Sequence, residues 1–357
     1  MNASRFARLL VDYCLEVQPG QQVQVSSTTL AEPLLLELQR ELLEREAWPL
    51  LDVSLPGQAE GFWAAARDVH IDGFPSADLA VAERLDATLR IQASVNANEL
   101  AGVDPARMAR AARARDPLRE ARLAARWAIT LWPTAAAAQQ AGMGTREFSD
   151  FVSRALFLDR DDPAAAWGEL REFQAGLIER LAPKREIRIE ADGTDLRLDV
   201  SGRTWINSDG RRNMPSGEVF TGPAESSAEG VVRFKIPTSP RGVVVEDVTL
   251  RFEGGKVVEA HAERGDAYLQ ATLDTDPGAR SLGELGIGTN FGIDRPIGAI
   301  LFDEKIGGTV HLALGRSYPE TGGLNASAVH WDLICDLRDG GRLSADGEPI
   351  LEAGRFR

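Results

Sequence analysis

Four histidines occur in the 357 residues, and two of them, His311 and His330, lie within twenty residues of each other near the end of the chain. Both sit in alternating segments. Val310, Leu312 and Leu314 fall on one face of a strand, and Thr309, His311 and Ala313 on the other. Val329, Trp331 and Leu333 make a second apolar face, so His330 and Asp332 project together from the opposite one. Residues two apart do not share a face on a helix. On a strand they do, and an imidazole and a carboxylate then reach one cation. Glu218 and Glu284 complete the set, each directly after a glycine that lets the backbone come close to a ligand. Three carboxylates with two imidazoles suit zinc, cobalt or manganese at a hydrolytic site, not a closed thiolate site. They also suit a pair of divalent ions, held roughly 3.5–4 Å apart in sites that acidify a shared water and polarise a scissile carbonyl.

Each residue has a plainer reading. A histidine flanked by Val and Leu is often a structural or surface residue. Glu218, after Pro215-Ser216-Gly217, and Glu284, in a glycine-rich loop, also fit as turn carboxylates. The His330-Trp331-Asp332 pair is the stronger signal, because burying both polar groups without a partner is costly. Tyr318 follows Gly315 at a strand end. It reads either as an ordinary loop aromatic or as a phenol donating to a tetrahedral oxyanion. Asp303-Glu304-Lys305 reads as a solvated charge cluster, or with Glu304 as a further ligand or general base. His70 and His261 read as structural or exposed, and nothing near His261 in its hairpin complements it.

The elements that position these groups fall in two parts. From the first residue to about 182, amphipathic helices alternate with short strands. Phe6, Leu9, Leu10, Tyr13 and Val17 mark a helix stopped by Pro19-Gly20, and 22–26 a strand. Leu34, Leu35, Leu38 and Leu42 mark the next helix. Strands follow at 48–53, 87–93 and 127–131, with long Ala/Arg-rich helices between them. Thr145 caps a helix carrying Phe148, Phe151 and Val152, and Asp162-Pro163 opens another running to about Leu181. This β-α-β-α rhythm predicts an α/β domain with a mostly parallel sheet over 1–182. Neither a GxGxxG nor a P-loop pattern occurs. Pro183-Lys184 marks the boundary. Beyond it, hairpin patterns about Asp192-Gly193 and Gly254-Gly255 predict a β-rich α+β domain over 183–357 that carries the chemistry.

The net charge of −14 excludes a basic footprint for nucleic acid or anionic membrane. The arginines between 107 and 126 recur among Ala and Leu at helical spacing and read as a solvated face. Cys14 and Cys335 form no disulfide framework and no CxxC pattern, which fits a reducing cytoplasm. The N-terminal residues lack a signal-peptide core, and no apolar run of about 18 residues is present, so a cytoplasmic protein is expected.

Taken together, the segments 213–221, 283–290, 303–311, 317–319, 322–327 and 330–332 resemble, in order and spacing, the thermophilic metalloaminopeptidase family typified by aminopeptidase T. The resemblance extends upstream through 205–210 and 132–134 to the first helix, so it covers essentially the whole chain. It implies an exopeptidase that removes N-terminal residues from peptides with a free N-terminus, using two divalent ions, and a homodimer that encloses the site. By motif position it implies Glu218, Glu284, His311, His330 and Asp332 as ligands, Glu284 as the bridge, and Glu284 and Tyr318 as catalytic groups. The chain is shorter than typical members, with the difference expected in the N-terminal half. Two other classes of function use the same residues. One is another metal-dependent dipeptidase or amidase, separated by substrate length. The other is a non-catalytic peptide- or metal-binding protein, which predicts tight metal binding without turnover.

Overall fold

Alternation in the chain sets its first sheet. In the computed structural model, which describes residues 1–357 apart from the side chain of Arg241, Gln22–Thr28 buries every second side chain, with Val23 and Val25 fully enclosed. It pairs in parallel with Trp48–Ser54 on one side and Ala87–Gln92 on the other, and Arg126–Leu131 follows. Helix Glu32–Glu44 buries Leu34, Leu35, Leu38 and Leu42, the stripe expected from the sequence. Helix Thr145–Ala155 buries Phe148, Phe151, Val152 and Ala155. Its cap differs from expectation: Gly144 stands at the N-cap and Thr145 is already helical. The Ala/Arg-rich stretch forms two short helices, Pro105–Ala114 and Asp116–Ala124, because Pro117 ends the first ladder and starts the second.

Two units divide the contacts. One is Met1–Ala164 with Gly210–Met214, and the other is Ala165–Asp209 with Pro215–Arg357. The return to the first unit has a structural purpose: Asn213–Met214 adds a fifth parallel strand beside Arg126–Leu131. The compositional break at Pro183-Lys184 lies inside the second unit. Helix Pro163–Leu181 buries Leu177 and Leu181 in the core that the following strands build.

The second unit is β-rich. An eight-stranded antiparallel sheet runs in the order Lys256–Arg264, Glu246–Glu253, Glu229–Phe234, Thr194–Asp199, Glu186–Ala191, Arg342–Ala345, Glu348–Glu352, Arg355–Phe356. Both expected hairpins are present, turning at Asp192-Gly193 and Gly254-Gly255. A five-stranded antiparallel sheet runs His330–Asp336, Thr309–Gly315, Leu282–Gly288, Glu218–Thr221, Ile206–Ser208. One apolar cluster unites the two sheets. Leu196, Leu198, Val232 and Leu250 come from the first, and Leu285, Ile287, Val310, Leu312 and Leu333 from the second. Each such side chain contributes about 1.5–3 kcal/mol on burial, which fixes the face of the smaller sheet turned to the core and leaves the opposite face for polar groups. No helix among the described residues is long and apolar enough to cross a membrane.

Candidate metal centre

Register delivers the polar side chains to one place. Residues directly opposite each other in a ladder share a face. Asp332 pairs with Ala313, Ala313 with Glu284, His311 with Gly286, and Glu218 with Gly288. The five residues named from the sequence therefore lie on one face of four neighbouring strands, with Val219, Leu285, Val310 and Trp331 on the other. A one-residue slip in any strand would turn its polar side chain into the core.

The donors form two groups that share one residue. Glu218, Glu284 and His311 bring one donor atom each within 4.8 Å of one another, and so do Glu284, His330 and Asp332. Glu284 presents Oε1 to His311 Nε2 at 3.2 Å and Oε2 to His330 Nε2 at 3.7 Å. Glu218 Oε2 lies 3.4 Å from His311 Nε2, and Asp332 Oδ2 3.6 Å from His330 Nε2. His330 Nδ1 lies 2.9 Å from the Arg316 carbonyl, which fixes the ring so that Nε2 faces the carboxylates. His311 is fully enclosed, whereas His330 keeps 19% of its side-chain exposure.

The electrostatics follow from burial. Burial pushes the Glu284 carboxyl above the usual carboxylate range, against the hydrogen bond with His311. Burial alone would push the His311 imidazole down. The bond to Glu284 and the charges of Glu218, Glu284 and Asp332 outweigh it and hold the pKa above the ordinary value. Tyr318 packs its ring 5.2 Å from that of His330 and 5.7 Å from that of Phe220. Burial first, then the charges of Glu284, Asp332 and Glu218, push its phenol far above its usual pKa, so it stays a donor.

Other residues hold the site, and sequence reasoning gave them no role. An added Cβ on Gly286 would lie 2.0 Å from His311 Cε1, so only glycine lets the imidazole cross that strand. Gln174 is fully buried and donates from Nε2 to the Glu218 carbonyl at 2.7 Å and to Thr289 Oγ1 at 3.1 Å. Its signal was available: it stands seven residues from both Trp167 and Leu181, a polar residue inside a buried stripe. The glycines before the two glutamates serve packing of chain on chain, not ligand approach. A Cβ on Gly217 would meet Asn290 Cβ at 2.7 Å, and one on Gly283 the Arg316 carbonyl at 2.4 Å.

The Asp303-Glu304-Lys305 stretch is not a solvated cluster. The Lys305 side chain is fully buried, paired with Glu304 and 3.5 Å from Glu218 Oε1. Asp303 is buried and accepts from the Ile297 and Gly298 N–H groups at 2.8 and 2.9 Å. Burial pushes its carboxyl up to about 7 despite those bonds. Among the described residues, Glu304 joins neither donor group. His261 and His70 lie exposed, His261 near Asp266 and His70 accepting from the Arg67 N–H.

A family model described as thermophilic metalloprotease (M29) matches residues 1–356. The chain belongs to that family. It is therefore a hydrolase of a metal-dependent peptidase family, and named M29 relatives match across nearly their whole length. Aminopeptidase 2 of Geobacillus stearothermophilus is 31% identical over 415 residues, covering 99% of this chain and 97% of that protein. Aminopeptidase T of Thermus aquaticus is 29% identical over 405 residues, covering 99% and 98%. These alignments are longer than the 357 residues here, so both relatives carry segments with no counterpart in this chain. The solved structure of wild-type AmpT from Thermus thermophilus superposes with a TM-score of 0.86 at 26% identity, covering 99% of this chain and 98% of that one.

The donor set fits the divalent metal that M29 membership implies. Glu218 Oε2, in the inner donor group, is buried without a hydrogen-bond partner. Leaving such an atom unsatisfied costs about 1–3 kcal/mol. Three carboxylates converging on two imidazoles supply the oxygen and nitrogen ligands that zinc, cobalt or manganese take.

Proposed function

We propose that this M29 protein is an aminopeptidase whose site holds two divalent ions, one in each donor group, with Glu284 bridging them. The observation that carries this reading is the division of Glu284, which turns one oxygen to His311 and the other to His330 and so belongs to both donor groups. The names of the relatives, all aminopeptidases, support the substrate class. Divalent ions held there would polarise the scissile carbonyl and make a water acidic enough to attack at neutral pH.

The chain's own groups supply the remainder. Glu284 or Glu304 would accept a proton from the attacking water and return it to the leaving amine. Tyr318 keeps its proton and donates to the oxyanion as it forms. A free α-amino group would bind an ion or a carboxylate of the site, which would confine cleavage to the N-terminus.

The test is hydrolysis of an unblocked leucyl tripeptide and its N-acetylated twin, each after chelation and again after metal is restored. The reading expects cleavage of the free-amine peptide alone, lost on chelation and regained with metal, at two ions per chain. Cleavage of both peptides would make the protein a general amidase. Bound metal with neither peptide cleaved would make it a binding protein. Glu284→Ala should bring activity to background and strip both ions, and retention of either would remove it from the bridge.

A further inference from the structure

Lys305 is unusual chemically. Lysine is almost never fully buried unless paired, and this one is enclosed beside the candidate metal centre. Its backbone is fixed by a bond from its N–H to the Phe302 carbonyl at 3.0 Å and by its own carbonyl accepting from Asn290 N–H at 3.1 Å. The ammonium therefore has little freedom to leave. It pairs with Glu304 and stands 3.5 Å from Glu218 Oε1. Asp303, also buried, feels its charge. Because the Lys305 side chain has no exposure, it does not reach a peptide in this arrangement.

The geometry points to Lys305 as a resident counter-cation of the inner donor group: it holds the carboxylates together before metal arrives and opposes the ion that binds Glu218. Glu304 is the second half of the device, drawing the ammonium away from Glu218. This inference rests on the metal-site reading and deepens it, since it assigns the residues that set ion affinity. Its logic is charge. Glu218, Glu284 and Asp332 converge in a buried space, and like carboxylates repel strongly there. A fixed ammonium relieves that repulsion in the metal-free protein. Once a divalent ion supplies the positive charge, the same ammonium becomes a like charge beside it.

The consequence is a pair of variants with opposite signs. Lys305→Met should lower the melting temperature of the metal-free protein and tighten ion binding by on the order of tenfold. Glu304→Gln should leave Lys305 with Glu218 as its remaining side-chain partner and weaken ion binding by a comparable factor. The double variant Glu304→Gln/Lys305→Met should recover part of the metal-free melting temperature, and it serves where Lys305→Met alone does not fold. Ion affinity is read by competition with a chromogenic chelator using zinc and cobalt, and melting by calorimetry after exhaustive chelation. Opposite shifts in affinity support the counter-cation. A loss of affinity in both single variants would make Lys305 an orienting donor and overturn it, as would unchanged affinity in both. If the unmodified protein binds no divalent ion at all, the metal-site reading fails first and takes this inference with it.

Discussion

The inner and outer halves of the site are built from the same residue types and are held in different ways. The inner group, Glu218 and His311 with Glu284, is enclosed. Its members stand mid-sheet, Gln174 pins the Glu218 backbone, Gly286 makes room for the imidazole, and Lys305 neutralises charge. The outer group, His330 and Asp332 with Glu284, sits where the sheet gives way to a loop. His330 leans on the Arg316 carbonyl, Tyr318 packs against it, and the ring stays partly exposed. Enclosure strengthens every electrostatic interaction but closes the path to substrate. On the proposed reading the difference is a division of labour: the inner half would retain an ion, and the outer half would meet the peptide.

The strongest way to break this comparison is Gly286→Ala. The added methyl would occupy space held by His311, with contacts of 2.0 and 2.1 Å to Cε1 and Nε2, on a strand paired directly with the one that carries the imidazole. Overpacking of this kind costs about 1–3 kcal/mol, and here it also moves a donor off Glu284. Elemental analysis should find metal content falling from two ions to one, with peptide hydrolysis reduced to background. Two ions and full activity in this variant would show that the imidazole has room to move and that the inner half is not rigid.

What the sequence disclosed follows the same division. Alternation around His311 and His330/Asp332 was readable because strand period alone assigns faces, and the core cluster fixes those faces as expected. The parallel sheet and the hairpins were readable for the same reason. Lys305 was not, because a charged triplet reads as solvated by default, although Leu301-Phe302 before it and Ile306 after it are buried. Gln174 was hidden inside a helix stripe otherwise apolar. Asn213–Met214 has only two residues in its strand, too few to show any period, so its return to the parallel sheet was invisible. Periodicity reports which way a side chain faces. It does not report which buried charge a distant segment will answer.

Tyr318→Phe sharpens the outer half. The phenol lies against His330 and feels Glu284, Asp332 and Glu218. Removing its hydroxyl should lower kcat by about 10²–10³-fold, the usual loss for one oxyanion donor. KM should change little and metal stoichiometry should not change. Loss of an ion in this variant would place Tyr318 in support of His330 instead of beside the reacting carbonyl.

The smallest expected effect concerns the loop that leads into His330. Asp276 accepts from the Ala328 N–H at 2.8 Å, from the Gly278 and Ala279 N–H groups at 2.9 and 3.0 Å, and from the Ser327 hydroxyl at 2.8 Å. Burial raises its pKa, but these bonds outweigh it, and the carboxyl ends below the usual range. A depressed folded pKa means that the carboxylate stabilises the fold above its unfolded value of about 3.9. That contribution is lost as pH falls through the folded value. In the metal-free protein, Asp276→Asn should therefore melt lower than the unmodified chain at pH 6, by on the order of 2–4 °C. The gap should shrink below about pH 4. The bonds through Ser327 and Ala328 lead into the outer strand, and those through Gly278 and Ala279 into Leu282–Gly288, whose Glu284 both groups share, so the variant should release the outer ion more readily than the inner one. A gap constant between pH 6 and 3, or equal weakening of both ions, would mean that the two halves are held as one.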